Sequence, residues 1–128
     1  MNESPREHFA ECLRRRTKAF AFEVLELCRR LPKTEEAKVV GRQLLRAGMS
    51  VGANYRAISR ARSRAEFIPK INVVIEEADE TLFWLEAVSE KGIVSAPETD
   101  ALLREGNELL RILVVSQRTA KKTQGRSS

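Results

Sequence analysis

The sequence predicts an all-α protein, an up-down-up-down antiparallel four-helix bundle, and two observations carry this prediction. Long segments have apolar residues at steps of three and four, which places those residues on one face of a helix. Short segments with helix-starting and helix-ending residues separate them, and helices joined by short turns pack as antiparallel neighbours. The composition agrees, since 42% of the 128 residues are hydrophobic and only 5% are aromatic. We expect residues 1–120 to form the bundle and the basic residues 121–128, which lack an apolar pattern, to be a disordered tail.

The first predicted helix covers residues 6–31, and Pro32 ends it because a proline disfavours helical geometry in the preceding residue. Its expected core face consists of Phe9, Leu13, Phe20, Val24, Leu27 and Leu31. The second helix begins after Thr34, a preferred N-cap residue, and ends at residues 60–62. Gly48 and Gly52 lower its helix propensity, and their spacing indicates a close approach by another helix.

Two Ser-x-x-Glu sequences predict the starts of the third and fourth helices. In each of them, Ser63 with Glu66 and Ser95 with Glu98, the serine and the glutamate are expected to cap each other's free backbone N–H groups. The third helix is expected to end at Gly92, because glycine readily adopts the left-handed conformation of a C-cap.

The positive charge is concentrated on the second helix. The net charge is +5, and between Lys38 and Arg64 there is no acidic residue. The candidate nucleic-acid-binding residues are Arg42, Arg46, Arg56 and Arg60, which share the helix face opposite the apolar stripe, together with Arg62 and Arg64 in the following turn. Guanidinium groups at helical spacing suit the sugar-phosphate backbone of RNA or DNA. Two alternatives stay open: an ordinary solvated helix face, and a protein–protein scaffold whose basic face docks an acidic partner.

Further basic clusters occur elsewhere in the chain. One comprises Arg14, Arg15, Arg16 and Lys18 on the first helix, and the other Lys121, Lys122 and Arg126 in the tail. We treat both as secondary candidates for phosphate contacts.

No residue set in the sequence suits catalysis, a metal or another cofactor, so we expect neither an enzyme nor a small-molecule substrate. His8 is the single histidine, and neither Cys12 nor Cys28 has a base placed beside it. The two cysteines lie sixteen residues apart on one helix, too far for a disulfide. No apolar run approaches the roughly 20 residues of a membrane span. With its polar N-terminus, the chain is expected to be cytoplasmic.

Large apolar residues off the core stripes predict a homo-oligomer. These candidate interface residues are Phe22 and Leu25 on the first helix and Phe83 and Trp84 on the third. A lone bundle has a mostly polar surface, although scattered exposed apolar residues are also common. An acidic third helix, with Glu76, Glu77, Asp79 and Glu80, is able to face a basic helix of a neighbouring subunit.

Several motifs resemble those of the bacterial four-helix-bundle proteins encoded in intervening sequences of large-subunit ribosomal RNA genes. They are Gln43-Leu44-x-Arg46-Ala47-x-x-Ser50-Val51-x-Ala53-Asn54, then Phe67, then Glu80-Thr81-x-x-Trp84-Leu85. The likeness covers about residues 9–118. This family is also similar in fold to the accessory variability determinant of diversity-generating retroelements. The resemblance implies a homopentameric barrel that binds nucleic acid, with a reverse transcriptase as a possible partner.

The sequence after Asn54 departs from that family. The family usually has a short apolar residue and a Glu-Gly pair here, whereas this chain has Tyr55-Arg56-Ala57-Ile58. The more basic continuation favours the retroelement-accessory-like branch. Asn54 itself lies at the edge of the apolar stripe, where we expect a buried hydrogen bond that sets helix register, with a functional polar contact as the alternative.

Overall fold

The computed structural model describes residues 4–127, with side chains as far as Thr123, and consists over this range of four helices without a strand. Helix α1 covers Pro5–Arg29, α2 covers Glu35–Ile58, α3 covers Arg64–Glu90 and α4 covers Ala96–Ser127. Each helix packs extensively against the next, and α4 returns to α1 with far fewer contacts. The all-α four-helix fold is therefore confirmed. We call the boundary between α1 and α4 the weak α1–α4 seam, because the backbones of these two helices approach each other over the fewest residues.

Hydroxyl side chains determine where the first two helices begin. Ser4 caps α1 by accepting a hydrogen bond from the Glu7 N–H at 3.1 Å, while the Glu7 carboxylate accepts one from the Ser4 N–H at 3.0 Å. This reciprocal pair starts α1 at Pro5, one residue before the predicted start. Thr34 caps α2 as predicted, since its hydroxyl accepts from the Ala37 N–H at 3.2 Å. Such a cap stabilises a helix by about 1 kcal/mol.

Each of the two predicted Ser-x-x-Glu caps forms only in part. At Ser63 the glutamate bonds a different N–H than expected, and at Ser95 the serine hydroxyl does not accept the expected hydrogen bond. Ser63 accepts from the Glu66 N–H at 3.2 Å, but the Glu66 carboxylate bonds the N–H of Arg62, one residue before the cap. At the start of α4 the Ser95 hydroxyl donates to the Glu98 carboxylate at 2.9 Å and does not accept from the Glu98 N–H, so the serine half of the predicted capping box is wrong there. A hydroxyl bound to a carboxylate gains charge assistance, which favours this arrangement.

The ends of α3 and α4 give one confirmation and one correction. Gly92 adopts a φ of +65°, and the N–H of Ile93 reaches back to the Val88 carbonyl at 2.9 Å, so the predicted left-handed C-cap is confirmed. By contrast, α4 continues to Ser127 through the tail for which disorder was predicted, and Ser128 lies outside the described residues. Adding residues to an existing helix requires no new nucleation, so a polar segment can extend it.

The core is built from the predicted stripes and depends on close helix contacts at glycine. Its largest fully buried side chains include Phe20, Leu27, Leu44, Ile71, Leu85, Leu109 and Leu113. A Cβ on Gly48 would lie 2.7 Å from Val24 Cγ1, and one on Gly52 would lie 3.2 Å from the Thr17 carbonyl oxygen. The predicted close approach at these two glycines is therefore confirmed, and the approaching helix is α1.

Phe9 is a further correction to the predicted core. Its side chain is 50% exposed although it continues the stripe of Leu13 and Phe20. The cause is the weak α1–α4 seam, which leaves the first turns of α1 without a neighbour that covers their apolar face.

Candidate nucleic-acid interface

A groove between α1 and α2 collects more positive charge than either helix carries alone. It has a volume of about 590 Å³, and we call it the basic groove. Helix α1 contributes Arg14, Arg15 and Lys18 to its lining, α2 contributes Arg56, and the turn after α2 contributes Arg60. Among its lining residues Glu11 is the single carboxylate. Five cations therefore meet one acid in this space.

Antiparallel packing explains why these residues meet. The N-terminal half of α1 lies beside the C-terminal half of α2, and Gly52 lets the two backbones approach, since its α carbon faces Ala21 and Lys18. Arg56 and Arg60 then lie one turn apart along one wall, and Arg14 and Lys18 one turn apart along the other. The groove thus follows directly from the small residues of α2.

The single carboxylate neutralises only part of this charge. Glu11 forms ion pairs with Arg14 and, at 3.2 Å, with Arg15. The hydrogen bond from Arg14 and the positive charge of both arginines hold the pKa of Glu11 below its ordinary value, so the carboxylate stays ionised at neutral pH. No described carboxylate pairs with Lys18, Arg56 or Arg60. The described carboxylates therefore leave the charge of these three cations unneutralised.

An exposed aromatic ring lies among the cations. Phe22 lines the groove and is 48% exposed, and the Lys18 ammonium lies 5.7 Å from the centre of its ring. Attraction between a cation and the ring face contributes about 0.5–1 kcal/mol at an exposed site. This contact positions Lys18 over the groove.

The structure does not bring the six candidate arginines of the second helix and its turn into one site. Arg46 lies on the α3 side of α2, where its guanidinium pairs with Glu80 and, at 3.2 Å, with Glu77. Arg42 lies at the opposite end of α2, in a hollow beside Leu31 and Pro32. Only Arg56 and Arg60 line the basic groove, whereas Arg62 and Arg64 line a separate groove at the end of the bundle.

Helical periodicity also divides the basic cluster on α1. Arg14 and Arg15 face the basic groove, but Arg16 points across the α1–α4 seam, where it binds Glu105 through two hydrogen bonds of 3.0 and 2.7 Å. These bonds raise the pKa of Arg16 above its already high ordinary value. Arg16 also pairs with Glu108 at 3.3 Å, and Arg30 pairs with Glu98 across the same seam at 3.0 Å. Sequence reasoning treated the α1 cluster as separate from the α2 arginines, although the Gly48–Gly52 spacing was a signal that the two helices meet.

The candidate interface residues form two surfaces rather than one. Phe22 lies at the basic groove with Leu25 on the same helix, partly exposed. Phe83 is 58% exposed on α3 and meets Trp84 edge-on at 5.0 Å, while the Trp84 Nε1–H donates to Glu80 at 3.2 Å. Helices α1 and α3 are diagonal in the bundle and make no close backbone contact. An assembly using both surfaces would join different faces of neighbouring copies.

Other polar candidates have local roles. Asn54 donates from its side-chain amide to the Ser50 carbonyl at 2.9 Å, so its hydrogen bond lies within α2 and sets no register between helices. Burial raises the pKa of Cys28 to about 11, and its thiol donates to the Gly41 carbonyl at 3.7 Å. The sulfur of Cys12 lies 3.6 Å from His8 Nε2, one turn earlier on α1, so the prediction that neither cysteine has a base beside it is wrong for Cys12. The described residues contain no cluster of three or more His, Cys, Asp or Glu side chains suited to a metal ion. None of the described helices combines the length and apolar character that crossing a membrane requires.

Comparisons with known proteins point to one family. A family model described as 23S rRNA-intervening sequence protein matches residues 13–115 of this chain. A similar solved structure is that of a protein of unknown function from the S23 ribosomal protein family of Bacteroides thetaiotaomicron VPI-5482. The two sequences are 30% identical, the TM-score is 0.76, and the match covers 82% of this chain and 97% of the other. No curated protein matches the sequence.

Proposed function

This chain belongs to the 23S rRNA-intervening sequence protein family, and we propose that it is a non-enzymatic, cytoplasmic accessory protein that holds the backbone of RNA or DNA in the basic groove. The predicted resemblance to proteins encoded in ribosomal RNA intervening sequences is confirmed. The likeness to the accessory variability determinant of retroelements stays a prediction, as does a reverse transcriptase partner.

The observation that supports this proposal is the imbalance of charge in the basic groove. Five cations from α1, α2 and the turn after α2 face one carboxylate, which is already shared between Arg14 and Arg15. Lys18, Arg56 and Arg60 are left to meet phosphates. Phosphate contacts of this kind supply affinity without reading base sequence, so we expect binding with little sequence preference.

We propose no chemical step in this groove. The hydroxyl nearest the arginines, that of Ser59, donates to the Arg56 carbonyl at 2.7 Å, and no histidine or cysteine lines the space. Its residues suit binding by charge and do not form a nucleophile with a general base.

Self-association is part of the proposal. Two apolar surfaces, at Leu25 on α1 and around Phe83 on α3, suit head-to-tail contacts in which different faces of neighbouring copies meet, while Phe22 stays in the basic groove. Such contacts close into a ring when the rotation between copies allows it, and the family resemblance implies five copies. A ring would multiply a modest groove into several linked binding sites, which raises the affinity for a long polyanion. Sedimentation equilibrium of the purified protein measures the number of copies.

Charge reversal in the groove tests the proposed function. We expect Arg56→Glu/Arg60→Glu to abolish binding of a fluorescently labelled oligonucleotide, measured by anisotropy, without lowering the melting temperature, because both side chains are exposed. Arg42→Glu is the matched control, since Arg42 is an exposed arginine of the same helix outside the groove. If the double variant binds as tightly as the unmodified protein, the groove does not hold nucleic acid.

Purification from cells separates this function from that of a scaffold for an acidic protein. Nuclease treatment of the lysate should remove whatever copurifies through the basic groove. A protein partner would contradict the proposed function if it stays bound after nuclease treatment and does not copurify with Arg56→Glu/Arg60→Glu. The basic groove would then bind an acidic protein instead of nucleic acid.

A further inference from the structure

A second groove lies at the end of the bundle where α1 begins and α4 approaches its end. It has a volume of about 640 Å³, and we call it the end groove. The lining residues are Arg6, Phe9, Ala10, Tyr55, Ile58, Ala61, Arg62, Ser63, Arg64, Phe67, Val115, Ser116, Thr119, Ala120 and Thr123. It opens at the weak α1–α4 seam and shares no lining residue with the basic groove.

The walls of the end groove are apolar and uncovered. Phe9 is 50% exposed and Val115 is 58% exposed, on opposite sides of the α1–α4 seam, with Phe67 partly buried between the helices. Small-ligand sites in proteins have volumes of about 300–1,000 Å³ and apolar walls with a few placed polar groups. The end groove has both properties, whereas its apolar surface is unsuited to a sugar-phosphate chain.

The polar groups of the end groove have one sign of charge. Arg6, Arg62 and Arg64 line it, and none of its lining residues is acidic. The carboxylate of Glu66, which follows these residues at the start of α3, is bound by the backbone N–H of Arg62. A ligand that complements these arginines carries a negative charge.

The hydroxyl of Tyr55 is a further polar group of the end groove. The Tyr55 side chain is only 4% exposed as a whole and lines the end groove. No described buried side-chain oxygen or nitrogen lacks a hydrogen-bond partner, so the hydroxyl oxygen of Tyr55 is open to the groove. Burial raises the pKa of Tyr55 to about 12, so the hydroxyl keeps its proton at neutral pH and can donate a hydrogen bond to a bound anion.

We propose that the end groove binds an aliphatic carboxylate of medium chain length. The chain lies against Phe9, Phe67 and Val115, and the carboxylate is held by the guanidinium groups at the rim and by the Tyr55 hydroxyl. This activity is independent of nucleic-acid binding, because the two grooves use different residues.

Calorimetric titration of the full chain with decanoate, below its micelle concentration, tests the proposal. We expect saturable binding of one decanoate per chain. Decyltrimethylammonium has the same chain with the opposite charge, and butyrate has the same charge with a short chain, so both should bind at least tenfold more weakly. Equal binding of decanoate and decyltrimethylammonium, or no saturable binding of decanoate, overturns the proposal.

Variants locate the binding in the end groove. Tyr55→Phe keeps the ring and removes the donor, so we expect about tenfold weaker binding of decanoate, the typical effect of losing a hydrogen bond to a charged group. Val115→Glu places a carboxylate in the groove and should abolish binding. Its matched control is Val39→Glu, because Val39 is an exposed valine of α2 outside the groove.

Two results with these variants would overturn the assignment. The first is binding of decanoate that Val115→Glu leaves unchanged, which would place the ligand elsewhere. The second is loss of self-association in Val115→Glu together with no binding of decanoate by the unmodified chain, which would make the end groove an interface between copies.

Discussion

The contact between Gly48 and Val24 determines how closely α1 and α2 pack, and so how near the two walls of the basic groove lie. A Cβ on Gly48 would meet both methyl groups of Val24, at 2.7 Å from Cγ1 and 3.1 Å from Cγ2. Val24 is fully buried, and a β-branched side chain in a helix has one strongly preferred rotamer. Gly48→Ala therefore forces the helices apart.

The expected free energies follow from this geometry. Alanine gains about 1 kcal/mol of helix propensity over glycine, but overpacking a tight core costs about 1–3 kcal/mol, so Gly48→Ala should destabilise by about 1 kcal/mol. Val24→Ala removes two buried methyl groups, which costs about 2 kcal/mol with a further cavity term. In the double variant the new methyl group occupies the space left by valine. We expect its destabilisation to be smaller than the sum of the single effects by at least about 1 kcal/mol.

Urea unfolding, followed by the fluorescence of Trp84 at one protein concentration, measures this coupling. The control pairs Val24→Ala with Gly52→Ala, because a Cβ on Gly52 would meet Ala21 and Thr17 rather than Val24. These two effects should add. Additive effects for Gly48→Ala and Val24→Ala would refute the proposed role of glycine in the approach of α1 to α2.

Three further predictions concern stability and reactivity. Arg16→Met should lower the free energy of unfolding by about 1 kcal/mol, because it removes the two hydrogen bonds to Glu105 across the weak α1–α4 seam. The control Arg15→Met, at an exposed arginine, should change the free energy of unfolding by less than about 0.5 kcal/mol. Equal effects of the two variants in urea unfolding would contradict this prediction. Hydrogen bonds from Ser95 and Arg30 lower the pKa of Glu98 below its ordinary value of 4.5, so its ionised form stabilises the fold above that pH and the contribution is lost as the pH falls through the lowered value. The stability advantage over Glu98→Gln should therefore disappear in acid, and an advantage that persists there would contradict the assignment. Since the pKa of Cys28 is about 11, only about one thiol in a thousand is ionised at pH 8, and iodoacetamide should modify the exposed Cys12 first, as mass spectrometry of the labelled peptides would show.

The helices were predictable because local signals determine them. The apolar stripes, Thr34 as an N-cap and Gly92 as a C-cap all act within a few residues of the chain. The errors arose where an alternative bond competes or a neighbour is absent. Ser95 bonds the Glu98 side chain in place of its N–H, and Phe9 lies on the core stripe but has no helix to cover it.

The basic groove was only partly predictable from the sequence. Carboxylates on a neighbouring helix neutralise some arginines, and cations on another neighbouring helix add to the charge of others. Arg46 and Arg56 are both exposed arginines of α2, but carboxylates of α3 bind the first and cations of α1 surround the second. The distance in sequence from Arg46 to Glu77 hides that pairing. Antiparallel order together with the two glycines does indicate that Arg14 and Lys18 lie near Arg56, and it is the signal from which the basic groove could have been inferred.

Salt dependence of nucleic-acid binding tests the central claim most directly. If Lys18, Arg56 and Arg60 each neutralise a phosphate of duplex DNA, the logarithm of the association constant falls with the logarithm of salt concentration with a slope of about −2.7 per groove. Between 50 and 200 mM salt the affinity should then drop about 40-fold. An affinity that stays constant over this range would contradict the assignment of the basic groove to phosphate binding.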